Sequence, residues 1–293
     1  MPDLVSSAIP VFLTLIALEA LVSGVRRARG ASARRGYAGR DTAASLALGV
    51  GSVAIGLVTK GASLALYRAL FELRPWDLAA GPWTWAAALI ADDFCYYWFH
   101  RLHHEVRVLW AAHVNHHSSR HFNLSTALRQ SWTTFASPLF YAPLPLLGFD
   151  PLVVVTVHSV NLLYQFWIHT ELVGRLGPLE WVLNTPSHHR VHHGRNVLYL
   201  DRNHAGILIV WDRLFGTFQA ETQAVDFGLT KNLTSHHPWH VAFHEWAALG
   251  RDLARARSWR EAARYALRPP GWSPDGPSQT SRELQRALAQ AAG

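Results

Sequence analysis

Histidines dominate the residues of this chain that could carry chemistry. Seven of the eighteen lie within residues 92–121, and a second group occupies residues 187–196. His100 and His104 are four residues apart, and the spacing His-x-x-His-His occurs twice, at 113–117 and 189–193. Residues three or four apart share one face of a helix, so each box should direct several imidazoles to one point. The three boxes supply about eight nitrogens, more than one ordinary metal site uses, and predict two metal ions.

A liganding imidazole needs an oriented acceptor for its second ring nitrogen. Asp93 lies seven residues before His100, two helical turns along the same face, in an apolar segment where an unpaired carboxylate is costly. We therefore expect Asp93 to orient a metal ligand. The alternative of a helix-end or water-facing carboxylate stays open for Asp93 and for its neighbour Asp92.

The boxes and their flanks resemble a known family. The segments HRLHH, LWAAHVNHHSS with NLSTALRQS, and TPSHHRVHHGRN followed by YLDRNHAGILIVWDRLFGT are similar to the fatty acid hydroxylase and sterol desaturase superfamily of membrane-integral di-iron oxygenases. The resemblance covers roughly residues 92–218 and lies nearest the bacterial sterol-desaturase-like and alkylglycerol-monooxygenase-like members. It implies nine metal ligands: His100, His104, His113, His116, His117, His169, His189, His192 and His193.

The resemblance also implies supporting residues after the third box, namely Asn196, Asp201 and Asn203. This chain reads DRNHAG there, with His204 where many relatives have an aromatic residue, so His204 is a candidate for an additional ligand or a supporting group. The other histidines fall into three groups: His103 and His188 as supporting residues, His121 and His158 as structural residues, and His236, His237, His240 and His244 as a looser cluster outside the motifs.

The composition favours a membrane protein. Of 293 residues, 49% are hydrophobic, and they are concentrated in long runs. Cys95 is the single cysteine, so the chain can form no internal disulfide and no thiolate cluster. The net charge of +7 comes mostly from arginine, and without a nucleic-acid motif it indicates anionic lipid headgroups. We expect one domain over residues 1–268, with its histidine-box core at 92–218, and a mobile tail over 269–293.

Four to five transmembrane helices are predicted from the long apolar segments of the chain. These segments are 11–22, 42–73, the stretch from Trp83 onward, 131–148 and 151–169. The arginines between residues 26 and 40 place that loop in the cytoplasm by the positive-inside rule. Counting helices from there puts every box on the cytoplasmic side. The predicted fold is an all-α integral membrane bundle whose cytoplasmic helical cap holds the dimetal site.

The resemblance implies an enzyme of the bacterial inner membrane that uses two iron ions, O2 and two external electrons to hydroxylate or desaturate a lipid. The chain shows no GxGxxG fingerprint and no iron-sulfur cysteine set, so a separate ferredoxin or cytochrome with its reductase is implied as the electron donor. The alternative is a non-catalytic membrane protein that binds or transports metal. Transporters usually place ionisable ligands near the bilayer midplane, whereas these boxes lie at a helix end.

Overall fold

The structure is a computed structural model that describes residues 4–30 and 36–292. Arg34 and Arg35 of the arginine-rich loop lie outside the described residues. The described part is all-helical and contains no strand, only two isolated bridges. The all-α prediction is therefore confirmed.

Fourteen α-helices follow one another in the described ranges. They are α1 (Leu4–Ser7), α2 (Ile9–Ala28), α3 (Gly39–Phe71), α4 (Pro82–Glu105), α5 (Arg107–Trp110), α6 (Val114–His117), α7 (Ser137–Tyr141), α8 (Pro143–Leu146), α9 (Pro151–Trp167), α10 (Pro186–His192), α11 (Val210–Leu214), α12 (Pro238–Arg255), α13 (Trp259–Leu267) and α14 (Ser281–Ala292). Short 3-10 turns cover Leu124–Leu128, Gly177–Trp181 and Val197–Tyr199.

Helices α2 and α3 are long and apolar enough to cross a membrane. Each contains an 18-residue window of mean hydropathy 1.8, and only 17% of each window is buried within the protein. Large apolar side chains such as Leu57 and Val58 are about three-quarters exposed. Such surfaces avoid contact with water, so both helices fit a lipid environment, as the sequence predicts.

Helices α4 and α9 pack along each other and bring the first histidine box next to His169. Both begin with proline in the first turn, where the missing N–H costs nothing, and the Asp150 side chain caps α9 by accepting from the Leu152 N–H. A buried apolar cluster that includes Ala88 and Val154 joins the two helices. The liganding candidates of both helices therefore lie at their carboxyl ends.

The segment 131–148 does not form the continuous apolar helix that the sequence predicts. It contains two short helices, α7 of five residues and α8 of four, and the residues before α7 are irregular. Pro138, Pro143 and Pro145 each remove a backbone donor and crowd the preceding turn, which explains the breaks. A crossing helix needs about 20 residues, so neither short helix spans a bilayer.

The carboxyl-terminal segment, for which the sequence predicts a mobile tail over 269–293, contains α14. This helix of 12 residues contacts the chain after the third box. The Gln285 side chain donates to the carbonyl oxygens of Val197 and Leu200, at 3.2 and 2.9 Å. These bonds satisfy carbonyls that the nearby 3-10 turn leaves open, which accounts for the docked helix.

Candidate metal centre

Five histidines from all three boxes form the first cluster. Their nearest ring nitrogens all lie within 4.8 Å of one another. The members are His100 and His104 of α4, His113 and His117 around α6, and His192 of α10. Four of the five are buried, and His113 is partly buried. The first box and parts of the second and third therefore meet at one point.

Four other histidines form the second cluster with the same spacing limit of 4.8 Å. The members are His116, His169, His189 and His193, and all are buried. The structure thus places all nine predicted ligands in two adjacent clusters. Within each box the first and last histidines share a cluster, whereas the middle histidine of the second and third boxes, His116 or His192, belongs to the other cluster.

This division corrects the expectation that each box points at a single spot. Helix α6 is one turn long and His113 precedes it, so the second box does not lie on an extended helical face. His116 consequently reaches His169, with Nε2 atoms 3.2 Å apart, while His117 reaches back to His113 at 3.1 Å. Loop packing, rather than helical spacing alone, decides the cluster of each ring.

Backbone carbonyls fix the tautomers of three ligands from different elements. The Nδ1 atoms of His100, His169 and His192 lie 2.7–2.9 Å from the carbonyl oxygens of His204, Gln165 and Arg202. A carbonyl oxygen only accepts, so each Nδ1 carries the proton and donates it. The Nε2 atom of each neutral ring is then a lone-pair donor for a metal.

The ring nitrogens of each cluster converge at distances that fit a cation bound between them. The Nε2 of His113 lies 3.0 Å from that of His100, and the Nε2 of His189 lies 2.9 Å from that of His169. The buried Nε2 atoms of His104, His192 and His193 have no hydrogen-bond partner. Buried nitrogens are normally paired, so this set of unpaired atoms fits two bound metal ions.

Protonation of the rings does not provide the positive charge at these clusters. Burial, followed by the neighbouring imidazoles, lowers the pKa of His117 and of His192 well below the ordinary value for histidine. The rings are therefore neutral at physiological pH and available as ligands. Neutral imidazole suits iron, zinc, copper and nickel, and the donor set contains no thiolate.

Among the predicted supporting residues, Asp201 alone contacts a candidate ligand, with Oδ1 3.4 Å from Nδ1 of His104. Asn203 donates to the His188 carbonyl oxygen and so holds the third-box helix. Asn196 binds the chain at residues 224–226 and touches no candidate ligand among the described contacts. The supporting role of Asn196 and Asn203 stays a prediction.

Asp93 makes no direct contact with a candidate ligand among the described hydrogen bonds. Its carboxylate accepts from the N–H groups of Ile207 and Leu208, at 2.7 and 2.9 Å, and from the Trp211 indole at 2.9 Å. An added Cβ on Gly206 would lie 2.7 Å from the Asp93 carboxylate, so glycine permits this close approach. Asp93 therefore holds the loop whose His204 carbonyl fixes His100, and reaches the ligand only through that loop.

His204 is fully buried, and neither of its ring nitrogens has a partner. Its ring centroid lies 5.0 Å from that of His104, outside the five-histidine cluster. Asp212 fixes its backbone by accepting from the His204 N–H, and burial raises the pKa of Asp212 to about 6. The remaining histidines also lie outside both clusters: His103, His121, His158, His188, His236, His237, His240 and His244.

Two carboxylates near the clusters escaped sequence analysis. Glu19 of α2 accepts from the Leu124 N–H and the Thr170 hydroxyl, and Asp41 of α3 is paired with Arg129 at 3.2 Å. The available signal was an acidic residue within an apolar segment, which predicts a buried partner without identifying it.

The fold and the site define a class: an all-helical protein with apolar helices and two adjacent clusters of histidines that fit a metal site. Residues 85–217 match the family model described as fatty acid hydroxylase. This segment belongs to the fatty acid hydroxylase family, and the resemblance inferred from the boxes is confirmed.

Named relatives share much of the chain. It is 44% identical over 286 residues to alkylglycerol monooxygenase of Homo sapiens, covering 94% of this chain and 61% of that protein. It is 32% identical over 146 residues to the ornithine lipid hydroxylase OlsE of Rhizobium tropici, covering 48% of this chain and 44% of the relative. The chain thus spans about three-fifths of the length of the human relative. No solved structure matches.

Proposed function

We propose that this protein is a membrane-bound di-iron oxygenase that hydroxylates an unactivated C–H bond of a lipid. The observation that carries the proposal is the convergence of nine imidazoles in two adjacent clusters. The names of the relatives, a monooxygenase and a lipid hydroxylase, favour hydroxylation over desaturation. Overall, R–H, O2, two electrons and two protons would give R–OH and water.

The histidines would hold the two metal ions, and the metal pair would supply the redox chemistry that activates O2. The protein's own part is to fix the ligands. Carbonyl acceptors hold the tautomers of His100, His169 and His192, and Asp201 contacts His104. Phe122 lies against the rings of the four-histidine cluster, 5.0 Å from His193, and excludes water on that side.

The proposed arrangement is one membrane-integral domain over residues 1–268. Helices α2, α3, α4 and α9 would span the bilayer, and the broken segment 131–148, whose Leu147 carbonyl accepts from the Trp76 indole before α4, would be the return crossing between α4 and α9. Both clusters lie where α4 and α9 end, so one side of the membrane would carry the whole centre. The arginines after α2 favour the cytoplasmic side of a bacterial inner membrane. A separate donor, such as a ferredoxin or cytochrome with its reductase, would deliver the electrons.

The test uses the full chain purified in detergent and loaded with iron. Metal analysis, O2 consumption and lipid mass spectrometry with isotopically labelled O2 are measured with alkylglycerol and ornithine lipids and a reductant. The expected result is about two iron ions per chain and one labelled oxygen in a lipid product. A protein that holds two metal ions but oxidises no lipid would favour the alternative, a non-catalytic metal-binding protein.

A further inference from the structure

Glu19 is a carboxylate within an otherwise apolar helix. It lies midway along α2, whose neighbouring leucines and valines are exposed, yet it is only 6% exposed itself. A buried carboxylate in such a segment is costly unless donors surround it, and it usually serves a function.

Every described partner of Glu19 donates a hydrogen bond. Oε2 accepts from the Tyr37 hydroxyl at 2.5 Å and from the Leu124 N–H at 2.7 Å, and Oε1 accepts from the Thr170 hydroxyl. Both carboxylate oxygens are therefore used, and three separate segments are tied to one residue. Hydrogen bonds to a charged acceptor are roughly twice as strong as neutral ones.

Two of these segments lead directly to the four-histidine cluster. Thr170 follows His169, whose Nε2 lies 2.9 Å from that of His189 and 3.2 Å from that of His116. Leu124 follows the loop of Phe122, whose ring contacts His169 at 5.7 Å and His193 at 5.0 Å. Glu19 thus fixes the chain beside the central ring of the cluster and beside the ring that covers it.

We propose that Glu19 is a positioning residue that holds His169 and Phe122 in place for metal binding at the four-histidine cluster. The inference rests on the metal centre of the proposed function. It makes the first apolar helix part of the site, although that helix supplies no ligand.

The principal variant is Glu19→Gln, which keeps the shape but turns an N–H group towards donors. Iron content and the rate of iron release to a chelator are measured on the full chain in detergent, with helicity and size-exclusion profile as fold controls. We expect iron to be held about 10–100-fold more weakly, the usual effect of removing a residue that supports a ligand. The matched control Glu72→Gln, at an exposed glutamate, should match the parent.

A second set separates positioning from general packing. Thr170→Val removes the bond next to His169, Thr170→Ser retains it, and Tyr37→Phe removes a bond from a segment without ligands. Thr170→Val should weaken iron binding, whereas the other two should not. Equal losses in Tyr37→Phe and Thr170→Val, or parent-like binding in Glu19→Gln, would overturn the inference.

The same preparation separates this inference from the proposed function. If the parent protein binds two iron ions but oxidises no lipid, the proposed function is refuted. The iron affinities of the variants then still decide whether Glu19 has a positioning role. A parent that binds no metal refutes both. If Glu19→Gln does not fold, the Thr170 and Tyr37 variants decide the outcome.

Discussion

His117 and His193 stack ring on ring, with centroids 4.4 Å apart and planes at 20°, although they belong to different clusters. Each also has a chain neighbour, His116 or His192, in the opposite cluster. The two prospective metal sites are therefore built from shared backbone segments. Neither the second nor the third box can be assigned to one metal, whereas both histidines of the first box belong to the five-histidine cluster.

Removing one histidine from any box should accordingly abolish activity. In His104→Ala, His116→Ala and His192→Ala, metal content should fall by about one or two ions per chain, because the other imidazoles are held by their own elements. Metal analysis and product formation measure the effect. His237→Ala lies outside both clusters and serves as the control. Full metal content and turnover in His192→Ala would remove the third box from the site.

Asp201 offers a test of the contact with His104. Its φ of 52° lies in the left-handed region, which asparagine and glycine accept more readily than most residues. Asp201→Gly removes the acceptor without backbone strain and should weaken metal binding about 10–100-fold, whereas Asp201→Asn keeps an acceptor oxygen and should lose less. Chelator competition measures both. Identical affinities in parent and Asp201→Gly would show that the 3.4 Å contact does not support the ligand.

Asp93→Asn should lower stability and activity together. The carboxylate accepts from three N–H groups of the loop 207–211, and an amide would turn its own N–H towards some of them. An unsatisfied buried donor costs about 1–3 kcal/mol. Activity should also fall, because Ile207 lies three residues after His204, whose carbonyl oxygen holds the His100 ring. Thermal unfolding and turnover check this, and a parent-like melting temperature with reduced turnover would favour direct action at the metals.

Acid should destabilise the metal-free protein. Burial lowers the pKa of His188 to about 4, and it lowers that of His113 well below the ordinary range. Unfolded histidine titrates near a pKa of about 6.5, so below that pH the unfolded chain binds protons that the folded chain does not. The free energy of unfolding should therefore fall as the pH drops from about 6.5 towards 4, with no such effect above 6.5. Melting curves of chelator-treated protein measure this; a melting temperature constant across that range would contradict it.

The proposed topology can be tested by cysteine labelling in a Cys95→Ser background. A cysteine in place of Trp76 should be labelled from outside, and one in place of Arg120 should be labelled from the cytoplasm. Both residues are exposed, and α4 lies between them in the chain. Phe149 is only 8% exposed, so the adjacent Asp150 is the better second outside position. Labelling of position 120 from outside would overturn the topology.

The sequence predicts the apolar helices and the set of clustered histidines well, because both depend on local spacing and composition. The predicted segment 11–22 lies within α2. The predicted segment 42–73 agrees with α3 to within a few residues at each end. The division of His116 from His117 could not be predicted, since it depends on how a single helical turn packs against α9 and α10. The partners of Glu19 are likewise distant in the chain, so no local pattern shows them.

The length of α3 has a mechanical consequence. Its 33 residues extend about 50 Å at 1.5 Å per residue, whereas the hydrocarbon core is about 30 Å thick. In a bilayer the helix must tilt or project from the hydrocarbon core. Its amino-terminal turn carries Asp41, which forms an ion pair with Arg129. Arg129 in turn donates a hydrogen bond to the carbonyl oxygen of Asn115, the residue before His116. A change in bilayer thickness that alters the tilt of α3 would therefore also act on the second histidine box through Arg129.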